Sequence, residues 1–268
     1  MPPVPDRPSL PPDLYTEEYF LNACEGYEEF SESQGERLSR RLSAAIAIAD
    51  VKAGMQVLDV GCGRGEILRH CARLGADAYG VDNAPVAVEL SRRAVAGEQQ
   101  APGKTGVAQS DAKRLPFPDA HFDRVLMFDV VEHLYPWELA QSLAEIRRVL
   151  KPGGVFIVHT APNVWYDRFA YPIVRLARTL MGQGAKYPKN PRALNVSANV
   201  EVHVNEQSAF SLWRVLRQAG FHRVRTWLES PPQNRAEAAP LAATRLVLFK
   251  LPPFRYFFER EVFAVGMK

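Results

Sequence analysis

The sequence predicts a doubly wound α/β fold, and three observations predict it. The apolar run Val57-Leu58-Asp59-Val60 breaks into the alternating glycines Gly61, Gly63 and Gly65, and Glu66-Ile67-Leu68-Arg69 then opens a helical pattern. Strand-like and helix-like segments alternate from there to residue 160, which favours a parallel sheet with helices on both faces. From Ala161 to Asn205 the alternation stops, a helical and then polar pattern takes over, and the core pattern resumes at Glu206. The chain therefore divides into an N-terminal arm with helices (1–50), an α/β core (51–160), an inserted cap (161–205) and a C-terminal part of the core (206–268) with an amphipathic segment at 240–258.

Each element has a local reason. Tyr15, Tyr19, Phe20, Ala23, Tyr27 and Phe30 recur at helix-like spacing with glutamates between them, Gly35 interrupts, and Arg37 to Ala49 continues as helix. Asp50-Val51-Lys52-Ala53-Gly54 turns the chain into a strand at 55–60. Helix 64–74, strand 77–81, helix 85–96, strand 105–109, strand 122–128, helix 136–149 and strand 154–160 follow. Gly97 to Gly103 is a loop, and Leu115-Pro116-Phe117-Pro118-Asp119 is a turn because prolines break helices. In the cap, Trp165, Phe169, Ile173, Leu176, Ala177 and Leu180 share one helical face with Arg168, Arg175 and Arg178 opposite, and Pro172 should kink that helix. Gly182 to Asn199 reads as a polar loop. Glu206-Gln207-Ser208 starts a helix over 207–219 that Gly220 ends. A strand at 221–228, a loop from Ser230 to Ala239, the 240–258 segment and a last strand at 261–265 complete the chain.

Composition narrows the classes. With 47% hydrophobic residues the chain can bury a sizeable core. Its three cysteines, Cys24, Cys62 and Cys71, contain no C-x-x-C pair, so neither a disulfide framework nor a zinc site is expected, and a reducing, cytoplasmic compartment is. Neither a signal-peptide core nor an uncharged run of membrane-spanning length is present, so membrane contact is expected to be peripheral at most. The net charge of +3 hides an asymmetry: residues 1–36 hold nine acids against Arg7 alone, while residues 161–200 hold six basic residues against Asp167. The acidic arm could lie against the basic cap, or the cap could attract an anionic acceptor or an acidic membrane surface.

The glycine turn carries the chemistry. Glycine lets a backbone turn sharply or approach a ligand with no Cβ in the way. A dinucleotide fingerprint needs glycine where Glu66 stands, and a P-loop needs Gly-Lys-Ser/Thr, which is absent. An acid at that place argues for a cationic or hydroxyl-rich ligand rather than a phosphate.

Asp59-Val60-Gly61-Cys62-Gly63-Arg64-Gly65 resembles the first motif of the class I S-adenosylmethionine-dependent methyltransferases. Four further signals follow in the same order: Ala78-Tyr79-Gly80-Val81-Asp82, Ser110-Asp111-Ala112, Phe122 to His133, and Leu150-Lys151-Pro152-Gly153-Gly154. With Asp129-Val130-Val131-Glu132-His133 as marker, the nearest subgroup is the small-molecule and quinone-type (type 11-like) methyltransferases. The resemblance implies a Rossmann-like, mostly parallel seven-stranded sheet with an antiparallel edge strand. It implies S-adenosyl-L-methionine as cofactor, held by Asp59, Gly61, Cys62, Gly63, Gly65, Asp82, Asn83, Asp111, Ala112, Phe128 and Asp129. Asp82 should accept from the ribose hydroxyls, Asp111 from the adenine amino group, and the backbone near Asp129 should receive the methionine ammonium. The N-terminal helices should cover that site and the cap should take the acceptor, a small molecule methylated most readily at oxygen, anionic or lipid-linked in character.

Two histidines are candidates for catalysis. His133 follows Glu132 just past the fourth strand and could equally be structural; His203 lies where the cap rejoins the core, where a lone histidine on an apolar strand is more often packed than catalytic. His159, ending the fifth strand, is a weaker candidate. Cys62 reads as a small buried thiol rather than a nucleophile, and Tyr19 and Tyr27 as core aromatics rather than a lid. The scattered histidines give no metal constellation. The motif of nitrogen-methylating family members is absent, which disfavours DNA as partner. Two rivals remain open at this point: a nicotinamide-dependent oxidoreductase, and a non-catalytic S-adenosylmethionine-binding protein.

Overall fold

A computed structural model gives the architecture and describes residues 7–33, 35–98, 100–194, 197–229 and 246–268. Seven strands form one sheet: β1 (Gln56–Val60), β2 (Asp77–Asp82), β3 (Thr105–Gln109), β4 (Phe122–Phe128), β5 (Leu150–Thr160), β6 (His222–Leu228) and β7 (Val262–Met267). Their order is β3-β2-β1-β4-β5-β7-β6. The first five are parallel, and β7 runs antiparallel to both β5 and β6. The antiparallel strand thus stands one place in from the edge, with β6 outside it. The expected loop at 230–239 and the start of the 240–258 segment lie outside the described residues.

Side chains alternate across the sheet, because successive strand residues point to opposite faces. Leu58, Val125, Met127 and Phe156 pack with Leu139, Leu143 and Ile146 of α5 (Pro136–Val149) and with Leu212 and Leu216 of α8 (Ala209–Gln218). Val57, Leu126 and Ile157 pack on the other face with Ala45, Ile46 and Ala49 of α2 (Arg40–Ala49) and Ile67, Leu68 and Cys71 of α3 (Glu66–Arg73). Two apolar faces explain why β1 and β4 read as nearly continuous apolar runs.

Helix starts follow ordinary capping chemistry. The Ser39 hydroxyl accepts from the Leu42 N–H at 3.2 Å at the head of α2. Pro85 opens α4 (Pro85–Ala96) and Pro136 opens α5, at positions where a missing N–H costs nothing. At α8, Ser208 and Ser211 cap each other reciprocally, at 3.1 and 2.9 Å.

Three local expectations change. The arm is not one helix over 15–30: it has a tight turn at Pro12–Leu14, a wide π-type turn at Tyr19–Ala23, and α1 (Tyr27–Ser33). Tertiary bonds decide this. The Arg64 guanidinium takes the Phe20 and Glu25 carbonyls at 2.9 and 2.7 Å, so the backbone there answers to Arg64 rather than to its own period. Pro172 does not kink the cap helix, because a π-type turn at Tyr166–Ala170 precedes it and α6 (Tyr171–Leu180) has Pro172 in its first turn. The polar loop of the cap also contains short turns at Gly184–Lys186 and Pro191–Leu194, and the cap helix has one buried side. Tyr166, Ala170 and Tyr171 are its buried residues, and the Tyr171 hydroxyl donates to the Pro188 carbonyl at 2.7 Å. The stripe Phe169, Ile173, Leu176 and Leu180 faces outward.

The acidic arm does not lie on the basic cap. Among the described residues its acids pair elsewhere: Glu17 with Arg93, Glu32 with Arg37, Glu36 with Arg69 and Arg73, and Glu25 with the Ser39 hydroxyl. No helix among the described residues is long and apolar enough to cross a membrane.

Candidate functional site

A cavity of about 640 Å³ opens at the carboxyl ends of β1, β2 and β4, where open parallel sheets bind their ligands. Asp59, Gly61, Cys62, Gly63, Asp82, Asn83, Asp111, Ala112, Phe128 and Asp129 all line it. Gly65 does not. It caps α3 in a left-handed conformation (φ 82°) with its Cα against α4, where an added Cβ would come within 2.9 Å of the Ser91 Cα. Gly65 therefore serves helix packing rather than ligand contact. Gly61 does serve the turn: its φ is 80°, and a Cβ there would meet Val130 at 2.3 Å.

Asp82 links the two loops that border the cavity. One carboxylate oxygen accepts from the Gly63 N–H at 3.1 Å and the other from the Ala84 N–H at 2.9 Å, leaving one lone pair on each. Its expected local capping role and its place at the cavity therefore coexist. Asp111 accepts from the Lys113 N–H at 2.8 Å and lies 2.9 Å from the Lys113 ammonium, which also reaches Glu138 at 2.7 Å. Asp59 has no hydrogen-bond partner among the described residues. Burial, then the nearby Asp82 and Glu66, push its carboxyl up to about 7. Burial raises the Cys62 thiol too, and its Sγ lies 3.3 Å from the Ser91 hydroxyl, as an inert buried thiol should.

Asp129 sits in a left-handed conformation (φ 54°) at the end of β4, its N–H donating to the His159 carbonyl at 3.0 Å. Its carboxylate lies 2.9 Å from His159 Nδ1 and 3.3 Å from Arg41, and Arg41 lies 3.6 Å from Glu261. His159 and Arg41 hold Asp129 well below the usual carboxylate range against its burial. His159 is pushed up to about 9: burial opposes the shift, and Asp129 more than repays it. His159 is thus part of a buried charge cluster and does not line the cavity.

His133 and His203 both line the cavity, their rings edge-to-face with centroids 5.0 Å apart. The Glu132 carbonyl accepts from the Val204 and Asn205 N–H groups at 2.8 and 3.1 Å, which hooks the returning cap onto the end of β4 and brings His203 to His133. Burial lowers His133 to about 3, with His203 adding to the effect, and lowers His203 to about 4. Both rings are therefore neutral near pH 7. His133 Nδ1 lies 3.2 Å from the Tyr15 hydroxyl, whereas His203 Nδ1 is buried with no hydrogen-bond partner. Burial and Asp129 raise Glu132 to about 8, although its carboxylate accepts from Thr160 at 2.6 Å. The fold here brings together groups that lie apart in the sequence. Glu132, His133 and His203 present donor atoms within 4.8 Å of one another, a grouping able to hold a metal ion that linear spacing did not reveal.

The arm contributes Tyr15, Tyr19, Phe20 and Tyr27 to the lining; Tyr19 also packs on the buried cluster of Phe20, Ala84, Ala87 and Leu90, whereas Tyr27 is exposed. Arg64 fastens that wall: besides its carbonyl bonds it pairs with Glu66 at 2.9 Å and lies over the Phe30 ring at 5.0 Å. Tyr15, Arg41, Arg64, Lys113 and Arg260 line the cavity and were not singled out from the sequence. Arg64 sits inside a recognised motif and Lys113 directly after one, which is a usable signal; Tyr15, Arg41 and Arg260 carry none. Arg168, Arg175, Arg178, Lys186, Lys189 and Arg192 are absent from the lining.

The lining suits a cationic, hydroxyl-bearing nucleoside. Ten carboxylates face Arg41, Arg64, Lys113 and Arg260, and Asp59 among them lacks any counter-charge. The comparisons agree. Residues 58–158 match the family described as a methyltransferase domain. A relative from Mycolicibacterium smegmatis, named "Probable S-adenosylmethionine-dependent methyltransferase", is 33% identical over 169 residues, covering 63% of this chain and 52% of its own. The chain thus spans about half the length of that relative. The ubiquinone/menaquinone biosynthesis C-methyltransferase UbiE of Cupriavidus metallidurans is 29% identical over 189 residues, covering 67% of this chain and 72% of its own. Among solved structures, an S-adenosylmethionine-dependent methyltransferase from Archaeoglobus fulgidus superposes with a TM-score of 0.57 at 20% identity, covering 90% of this chain and 99% of its own. Residues 58–158, with this sheet order, form a methyltransferase domain of the class I S-adenosylmethionine-dependent type.

Proposed function

We propose that this protein methylates an apolar, phenol-like small molecule. The observation that carries the reading is Asp59, a buried carboxyl beside Asp82 with no partner, in a cavity rich in acids. Such a group calls for a bound cation. S-adenosylmethionine, when bound, supplies an activated methyl group on a sulfonium. The remaining tasks fall to the chain: to hold two reactants in line and to take the acceptor's proton.

Asp82 keeps a lone pair on each oxygen for ribose hydroxyls, and Asp111 has spare acceptor capacity for the adenine amino group. The backbone around Phe128 and Asp129 receives the ammonium, with the carboxylate of Asp129 held ionised by Arg41 and His159. Gly61, Cys62, Gly63, Asn83 and Ala112 shape the wall. His203 is the better-placed proton acceptor, because its Nδ1 has no partner while His133 is engaged with Tyr15. Ala161, Pro162, Asn199 and Arg260 border the cap side, where the acceptor would enter.

The acceptor class draws support from relatives named for ubiquinone/menaquinone biosynthesis and as demethylmenaquinone methyltransferases. Their names point to carbon, whereas oxygen was the expectation from sequence; a phenolate offers its oxygen and its adjoining ring carbon, and product analysis separates the two. Three free cysteines accord with a reducing, cytoplasmic setting. Calorimetry with S-adenosylmethionine and its demethylated product should show binding that Asp82→Ala weakens at least tenfold. Release of S-adenosylhomocysteine with a panel of phenols should follow. No heat with either ligand, together with no release, would overturn the reading.

A further inference from the structure

The cap's outer surface is built like a membrane-surface helix. Phe169, Ile173, Leu176 and Leu180 recur at i, i+4, i+7 and i+11, so they form one stripe, and Met181 continues it. They are 49%, 61%, 62%, 81% and 68% exposed. The stripe does not end at the helix. Phe257 of α9 (Arg255–Phe258) stacks on Trp165 at 5.6 Å and meets Phe169 edge-on at 5.7 Å, and beside it Leu246, Leu251, Phe254 and Tyr256 are exposed as well.

Charge says what covers this surface. Arg168, Lys186, Lys189 and Lys250 are exposed in the same two segments, 161–200 and 246–258, and Asp167 is the one acid in the first. No carboxylate among the described residues pairs with Arg168, Lys186 or Lys189, and the acidic arm is engaged on the far elements described above. None of these basic residues lines the cavity, so they are not spent on the ligands inside it. A second copy of the chain would set like charges against like, and protein interfaces are poor in lysine. An apolar stripe in acid-poor, basic segments fits the acyl and headgroup boundary of an anionic bilayer. No described helix can span one, so the chain would lie on it.

We propose that the 169–181 face of the cap, with the neighbouring 246–257 segment, docks the protein reversibly on an anionic lipid surface. The inference does not depend on methyl transfer, and its test uses no turnover. The full chain should float with phosphatidylcholine vesicles containing phosphatidylglycerol and much less with phosphatidylcholine alone. Ile173→Glu/Leu176→Glu should lose flotation at least tenfold while keeping the parent's melting curve, since both side chains are already exposed. Lys186→Gln/Lys189→Gln should lower partitioning about 25-fold, roughly fivefold for each charge. Parent flotation that ignores lipid charge, or an Ile173→Glu/Leu176→Glu variant that floats like the parent, would overturn the proposal. So would a dimeric parent that this pair of substitutions turns into a monomer, for then a second copy covers the face.

Discussion

Measuring donor affinity against pH isolates the part played by Asp59. In the free protein its carboxyl ionises near 7 because burial, Asp82 and Glu66 all oppose the charge. A cation bound beside it would favour the ionised form and lower that value. Protonation then competes with binding, and the dissociation constant should rise about tenfold between pH 8 and pH 6, equivalent to ~1.4 kcal/mol. Roughly half a proton should be released per binding event at pH 7, which calorimetry in buffers of differing ionisation enthalpy reads directly. The ligand's own amine also titrates, so the quantity to plot is the ratio of the parent to Asp59→Asn at each pH. Glu132, which titrates near 8, needs the parallel control Glu132→Gln. The sign for stability runs the other way from an ordinary paired aspartate. A raised carboxyl weakens the folded state as pH rises from about 4 to 7, so Asp59→Asn should melt higher than the parent at pH 8. A flat ratio across pH 6–8 with no proton release would refute the assignment of Asp59 as the cation's counter-charge.

Three further outcomes follow from the geometry. Gly65→Ala puts a side chain on a left-handed backbone and against the Ser91 backbone, and should cost ~1–3 kcal/mol, lowering Tm by roughly 2–5 °C in a melting curve. His159 is raised to about 9, so the stability it lends through Asp129 is fully present below 6.5 and lost as pH climbs through 9; denaturant unfolding should show a decline on the order of 3 kcal/mol that His159→Gln flattens. Tyr15→Phe removes the hydroxyl 3.2 Å from His133 and should lower kcat about fivefold while calorimetry finds donor affinity unchanged.

What could be read from the sequence was whatever short-range pattern controls. The glycine turn, the strand and helix alternation from 56 to 160, and helices such as Pro85–Ala96 and Pro136–Val149 emerged at their expected bounds, because burial on one or two faces writes directly into the residue period. The acids at the strand ends could be named for the same reason, since topology places strand ends together. Features set by distant contacts could not. The arm's backbone follows Arg64, the meeting of His133 with His203 depends on the Glu132 carbonyl, and Arg41 reaches Asp129 and Glu261 from three separate elements. The cap shows a different limit: its apolar period was legible, but a period alone does not say whether its apolar side meets protein or something else.

Arg64 has a consequence for how the cavity behaves. A single guanidinium planted in the glycine turn grips two carbonyls of the arm, so the ceiling of the donor chamber is tethered to its floor. Any ligand that stiffens the floor must also quieten the arm around Phe20 and Glu25, and proteases should report donor occupancy there without touching the chamber itself.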